Sequence, residues 1–318
     1  MQRILVSKIT SLGDVLFTLP MITDIRQHFP EVKIDWVVDQ SFASLPALHP
    51  AIDRVIAVPL RGLKKKKLPD AVAALRVAIG QLREQPYDLV IDCHGMIKSA
   101  LLSRTAKAKK VVGPPNYRLG EAVARFAYHE QLSPAAELPA IEWYREFAAL
   151  ALGYQVQGLP QFGLSAPSWQ PSWLPAQPYV MCFHAASKSE KTWPISAWVD
   201  VLANLEAQGI AAILPWGATH EHEVANLIAQ DLSLAVVAPP LSVSEIASLI
   251  CGARAVIGVD TGMTHLAESL EKPTIALYTV TDPNIFHPYW NRFAVSLGGN
   301  GQVPSVAEVL EILPKVLL

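Results

Sequence analysis

The chain has 318 residues, 51% hydrophobic and 17% charged, with 26 Lys+Arg against 28 Asp+Glu and a net charge of −2. That balance excludes a disordered or fibrous chain, and the near-neutral total argues against a general nucleic-acid binder. The length predicts about two domains. Three scattered cysteines, Cys93, Cys182 and Cys251, form neither a disulfide framework nor a zinc site and suit a reducing compartment.

In chain order, residues 4–6 read as a strand and 7–14 as a loop. Residues 15–28 read as a helix, with Pro30 beyond its end and Pro20 inside, where a kink or a late start is expected. Strands follow at 33–38 and 54–58, an Ala/Leu-rich helix at 69–85, a strand at 89–92, a helix near 97–105, a short strand from 111 and a helix at 141–152. Residues 165–178 hold four prolines, which excludes a helix or central strand and predicts a linker. The pattern then restarts. Strands are expected at 179–183, 211–214, 235–237, 255–259 and 274–277. Helices are expected at 195–208, 221–229, 243–253, 264–270 and 306–313, the last ended by Pro314.

This alternation predicts an α/β protein of two Rossmann-like, doubly wound domains facing a central cleft. The boundaries are 1–165, a Pro-rich linker at 166–178, and 179–318, with the closing helix free to pack back on the first domain. No apolar stretch reaches the roughly 18 residues of a membrane span. The apolar run at the N-terminus is broken by Lys8 and Asp14 and lacks a cleavage site. A cytoplasmic protein, monomeric by default, is expected.

Charge is uneven. Residues 1–165 carry 20 Lys+Arg and 15 Asp+Glu, whereas residues 166–318 carry 6 and 13. Arg61, the run Lys64–Lys67, and Lys107, Lys109 and Lys110 supply much of the excess. Such a run is either a solvated face or a surface for a polyanion or an anionic membrane.

Five loops at strand ends carry candidate chemistry. The first, residues 7–14, lacks the Gly-x-Gly-x-x-Gly pattern of a dinucleotide enzyme; its Asp14 is either a helix cap or a general base on a hydroxyl. The second, Asp92-Cys93-His94-Gly95, turns into a helix that starts with the cation Lys98. The third, residues 184–194, offers hydroxyls with Lys188 and Lys191, suited to a phosphate or to an ordinary polar surface. In the fourth, Glu221 is either a ribose contact or an acid that complements a helix dipole. The fifth, Asp260-Thr261-Gly262-Met263-Thr264-His265, gathers a carboxylate, hydroxyls and backbone N–H groups where a helix begins, a cradle for a diphosphate. His220 and His265 stand in no metal-ligand spacing.

Several segments in this order resemble glycosyltransferase family 9, the bacterial lipopolysaccharide heptosyltransferases of GT-B fold. They are Ser11-Leu12-Gly13-Asp14-Val15, Phe183-His184-Ala185 with Lys191-x-Trp193-Pro194, Leu214-Pro215-Trp216-Gly217, residues 259–265 and Thr281-Asp282-Pro283. The similarity spans nearly the whole chain. Asp35-Trp36-Val37-Val38 and the Gly95-x-x-Lys98-Ser99 turn look closer to heptosyltransferase I than to heptosyltransferase II.

The resemblance implies inverting transfer of L-glycero-D-manno-heptose from ADP-heptose to the first Kdo of Kdo2-lipid A, with no metal or other cofactor. It makes Asp14 the base and Lys191 the group that neutralises the departing diphosphate. Thr10, Ser11, Gly13, Ser187, Glu221, Leu241, Asp260, Thr261, Gly262 and His265 would hold the donor. Arg61, Lys64, Lys65, Lys98 and Arg118 would meet the anionic acceptor, Lys98 by motif and the others by charge, in transient contact with the inner face of the bacterial inner membrane.

Two segments depart from the family pattern. Ala186 and Ser187 stand where heptosyltransferase I usually has two threonines, and His94 where it has Gln. Rival readings are heptosyltransferase II or another family 9 transferase, a nucleotide-sugar epimerase, and a non-catalytic lipopolysaccharide-binding protein.

Overall fold

In a computed structural model, residues 1–62, 67–115, 121–285 and 287–317 are described. The chain divides into two compact units, Met1–Ser165 and Ala166–Leu318.

The first unit contains strands β1 (Arg3–Ser7), β2 (Lys33–Asp39), β3 (Arg54–Val58), β4 (Pro86–Asp92), β5 (Lys107–Gly113) and β6 (Glu130–Gln131). They form one six-stranded sheet in the order β3-β2-β1-β4-β5-β6, and every neighbouring pair is parallel. Helices α1 (Leu12–His28), α2 (Leu68–Arg83), α3 (Ile97–Thr105) and α4 (Ala140–Leu152) connect or cover the strands. Ile4, Leu5 and Val6 of β1 are fully buried, as expected where helices cover both faces of a parallel sheet.

The second unit repeats the plan. Strands β7 (Tyr179–Phe183), β8 (Ala211–Leu214), β9 (Ala235–Val237), β10 (Ala255–Val259), β11 (Thr274–Tyr278) and β12 (Ala294–Gly298) pair in the order β12-β11-β10-β7-β8-β9. Read from the other edge, this is the same doubly wound order as in the first unit. Its helices are α5 (Ile195–Ala207), α6 (Thr219–Ala229), α7 (Val243–Gly252), α8 (Gly262–Ser269) and α9 (Val306–Val316).

Several expectations needed correction. Helix α1 starts at Leu12 rather than late, and Pro20 lies within it. The start is held by Asp14, whose Oδ2 accepts from the Ser11 N–H at 3.1 Å and from Ser11 Oγ at 2.8 Å. Ser11 is therefore the N-cap, and Asp14 sits in the first turn rather than at the cap itself.

Helix α9 runs past Pro314, and the Leu317 N–H still reaches the Leu313 carbonyl at 3.0 Å. Its side chains Val309, Leu313 and Val316 bury in the core of the second unit with Trp198 and Leu205. Burial of such a side chain is worth about 1.5–3 kcal/mol, which anchors the helix there. Strands β6 and β12 were not anticipated. The first has two exposed residues, and the second is a half-buried edge strand, so neither shows a clear period.

In the second unit, Gly258 on β10 faces Thr264 of α8. A Cβ there would lie 2.2 Å from Thr264 Oγ1, so only glycine lets α8 approach the strand this closely.

Candidate active site

In the first unit the charged groups gather at the carboxyl ends of β1 and β4. Lys8 follows β1 and its side chain is 2% exposed. Its ammonium donates to the Tyr144 hydroxyl at 2.6 Å and lies 3.6 Å from Asp14 Oδ1. Asp14 keeps 32% of its side-chain exposure, so one carboxylate oxygen is bound to Ser11 while the other faces a buried cation near solvent. Burial alone would raise the Asp14 carboxyl. The Lys8 charge and the Ser11 hydrogen bonds outweigh it and hold the group below its ordinary value. For Lys8, burial dominates over the attraction of Asp14 and lowers the ammonium.

The turn after β4 is fastened by Asp92. Its Oδ1 accepts from the His94 N–H at 2.9 Å and the Gly95 N–H at 3.3 Å, and its Oδ2 accepts from the Tyr128 hydroxyl at 3.1 Å. Burial pushes the Asp92 carboxyl up to about 6. Burial, reinforced by repulsion from Lys8, pulls the His94 imidazole down to about 4, so it is neutral at pH 7. Beside this turn a cavity of about 370 Å³ is lined by Thr10, Arg61, His94, Met96 and Lys98, among others. It thus gathers two of the expected acceptor residues, Arg61 and Lys98, with Thr10. Lys64, Lys65 and Arg118 lie outside the described residues.

In the second unit the expected residues also follow strand carboxyl ends. Lys191 closes the 3-10 turn Ser189–Lys191. That turn is pinned by Thr279 Oγ1, which donates to the Glu190 carbonyl at 2.7 Å. Just beyond it, Trp193 Nε1 donates to the Pro304 carbonyl at 2.8 Å. The Lys191 ammonium lies 2.6 Å from Asp260 Oδ2, and His265 Nε2 lies 3.4 Å from Asp260 Oδ1. His265 Nδ1 is 2.8 Å from Glu268 Oε2.

Asp260 therefore sits between two cationic groups. Burial would raise its carboxyl, but hydrogen bonds from His265, Lys191 and Thr281 hold it well below the usual range. Burial would likewise lower His265, but the Glu268 and Asp260 carboxylates lift the imidazole to about 9, so it is charged at neutral pH. Thr261 is the N-cap of α8 and Gly262 its first residue. The Lys191 ammonium and a helix start are the elements of an anion seat, with Asp260 and His265 fixing the ammonium in place.

The remaining expected donor residues occupy separate loops on that edge. Ser187 is exposed after β7, and Leu241 is half-buried just before α7. Glu221 Oε2 accepts from the Gly217 and Ala218 N–H groups at 2.7 and 3.0 Å, so the acid does cap α6. Its backbone carbonyl lies 3.0 Å from His184 Nε2.

Sequence reasoning missed Lys8, His94 as a neighbour of Asp14, and Glu268. A clue to Lys8 was its place as a lone cation at the end of an apolar strand. A clue to Glu268 was its position three residues after His265, on one side of a helix.

The model of glycosyltransferase family 9 (heptosyltransferase) matches residues 76–313. The lipopolysaccharide heptosyltransferase 1 of Escherichia coli strain K12 is 36% identical over 297 residues, which cover 91% of each chain. The chain belongs to glycosyltransferase family 9. It is therefore a transferase. A second family 9 relative, the lipopolysaccharide heptosyltransferase 1 of Pseudomonas aeruginosa, is 36% identical over 301 residues, covering 94% of this chain and 84% of the relative. Among solved structures, E. coli heptosyltransferase WaaC with ADP matches with a TM-score of 0.89 at 32% identity, over 99% of this chain and 100% of that one. E. coli heptosyltransferase II, at 21% identity and a TM-score of 0.78 over 100% of this chain and 98% of that one, shares the fold. Two parallel six-stranded sheets with interleaved helices are thus the GT-B architecture of the family 9 heptosyltransferases.

Proposed function

We propose that this enzyme is an inverting heptosyltransferase of lipopolysaccharide core synthesis, moving L-glycero-D-manno-heptose from ADP-heptose to the first Kdo of Kdo2-lipid A. The observation that carries the reading is the Lys8–Asp14 pair: a carboxylate kept ionised by a buried ammonium yet 32% exposed. The charge seat around Asp260 and the 36% identity to lipopolysaccharide heptosyltransferase 1 add support.

In the proposed step the Kdo hydroxyl oxygen bonds to the anomeric carbon from the face opposite the diphosphate. The bond from that carbon to the diphosphate oxygen breaks, ADP leaves with the bonding electrons, and the hydroxyl proton passes to Asp14. Removal of that proton in the transition state is worth about 10²–10⁴-fold. The low pKa of Asp14 suits a proton transfer that is late, when the attacking oxygen already carries positive charge.

Lys191 neutralises charge on the departing ADP, and His265, with a carboxylate on each ring nitrogen, fixes Asp260 beside it. An ammonium has three N–H donors, and Asp260 engages Lys191 on one side. Thr261 and Gly262 offer backbone N–H groups to the diphosphate. Glu221 and Leu241 line the nucleoside, and Ser187, Thr10, Ser11 and Gly13 complete the donor site. Arg61, Lys64, Lys65, Lys98 and Arg118 take the Kdo carboxylates and lipid A phosphates at the cytoplasmic face of the inner membrane.

The test is transfer by the purified protein from ADP-heptose to Kdo2-lipid A, read as a mass gain of one heptose. A product only on an already heptosylated acceptor favours heptosyltransferase II, and donor conversion without acceptor favours an epimerase. A thermal-shift panel of ADP-sugars against UDP-sugars tests the nucleotide, and stabilisation by UDP-sugars alone overturns the reading.

A further inference from the structure

The proposed transfer step gives Glu268 no task. It lies on α8, three residues after His265, and its side chain is fully buried. Its Oε2 is 2.8 Å from His265 Nδ1, while its Oε1 is buried with no hydrogen-bond partner among the described residues. A buried carboxylate with an unsatisfied oxygen is costly. Stability does not account for it, because apolar residues in place of a buried ion pair are often neutral or stabilising.

The fold nevertheless fixes this carboxylate firmly. The Glu268 carbonyl accepts from Trp290 Nε1 at 3.3 Å and from Asn291 Nδ2 at 3.1 Å. Ser269 Oγ donates to the His265 carbonyl at 2.7 Å. These bonds hold the end of α8, so Glu268 stays on the Nδ1 side of the ring.

Glu268, His265, Asp260 and Lys191 thus stand in a line of alternating charge, with 2.8, 3.4 and 2.6 Å between successive groups. Lys191, at the outer end, is 24% exposed, whereas the other three are buried. Asp260 has one negative charge to share between two cations. While His265 is charged, it takes part of that attraction, and Lys191 keeps positive charge for an anion from solvent. With His265 neutral, Asp260 would neutralise Lys191 alone.

We propose that Glu268 is a positioning residue for the leaving group: by holding His265 as the imidazolium, it keeps Asp260 shared and turns the charge of Lys191 toward the donor diphosphate. This deepens the functional reading and rests on it in one respect, that Lys191 meets the diphosphate.

Among the described residues, Asp260 before α8 and Glu268 on it contact the ring, and Lys191 lies beyond Asp260. Tyr278 of β11 is near both carboxylates. Burial, with repulsion from Glu268 and Asp260, raises its hydroxyl, so it stays neutral. The seat therefore loses a charge when His265 does, as the pH rises through about 9.

The experiment compares the full-length wild type with E268Q, which keeps the shape and removes the charge. ADP affinity is measured by calorimetry from pH 6 to 9, and the His265 imidazole is titrated by NMR. An opposite charge this close moves a partner by about 1–3 pH units, so the His265 midpoint should fall from about 9 by about two units. The charged fraction at pH 8 then drops about tenfold. ADP affinity of E268Q should match the wild type at pH 6 and be about tenfold weaker at pH 8. E268D, which keeps the charge, should recover most of the loss, and E268Q added to His265→Gln should cause none. Folding is checked by thermal melts, and E268M, similar in volume, gives the same readouts if E268Q melts early.

A wild-type-like ADP affinity of E268Q at pH 8, or a His265 midpoint that stays near 9, overturns the proposal. So does an equal loss at pH 6 and pH 8, which marks a purely structural role. Transfer is read separately. Absence of heptosyl product with the ADP pattern intact sinks the functional reading and leaves this inference standing.

Discussion

The two units build the same sheet, yet they treat the carboxylate at its edge in opposite ways. In the first, Asp14 has one buried cation, Lys8, at 3.6 Å and keeps 32% of its side chain exposed. In the second, Asp260 is 5% exposed and lies between Lys191 at 2.6 Å and His265 at 3.4 Å. A carboxylate fully occupied by protein cations holds those cations in place. One that is ionised but partly open remains able to accept a proton. A similar pKa direction thus serves two roles, and exposure and partner count separate them.

The largest expected effect breaks the contrast on the first side. Asp14→Ala should lower turnover by about 10²–10⁴-fold, with donor affinity retained. Steady-state kinetics and donor titration check this, and turnover near the wild-type rate would remove Asp14 from the role of base.

Next is the second side. Asp260→Asn should cost about 2 kcal/mol of stability, because a buried hydrogen-bonded charge is lost while Lys191 can still reach solvent. His265 then loses one of its two carboxylate neighbours, so its pKa should fall from about 9, as NMR titration would record.

Lys8→Met removes the largest effect that lowers Asp14, and burial then acts with less opposition. The Asp14 pKa rises, and the acid limb of the kcat/KM profile should move to higher pH. An unmoved limb would separate Lys8 from the chemistry.

The smallest effect concerns stability against pH. The folded pKa of His265, about 9, exceeds its ordinary value of 6.5. Its protonated form therefore adds stability that is complete below pH 6.5 and is lost as the pH rises through about 9. Melting curves of wild type and His265→Gln should show a gap that closes across that window.

Much of the plan was legible in local pattern. Apolar strand runs alternating with periodic helices announced two βα sheets, since strand and helix periods differ in the chain itself. Pro314 misled because proline was taken to end a helix, whereas α9 continues around it while burying apolar side chains; α1 runs through Pro20 without the late start. Strand β12 was invisible because AVSLG, half-buried at an edge, has neither alternation nor a continuous apolar run.

The sequence by itself determined the element types, the loops that carry charge, and Asp14, Lys191, Asp260 and His265 as candidates. Only the tertiary structure decided that Lys8 is the partner of Asp14, that Glu268 lifts His265, and that Glu221 caps a helix. Periodicity is a property of neighbours along the chain. Burial and Coulomb interactions depend on distances through space, and Lys191 reaches Asp260 across 69 positions of sequence.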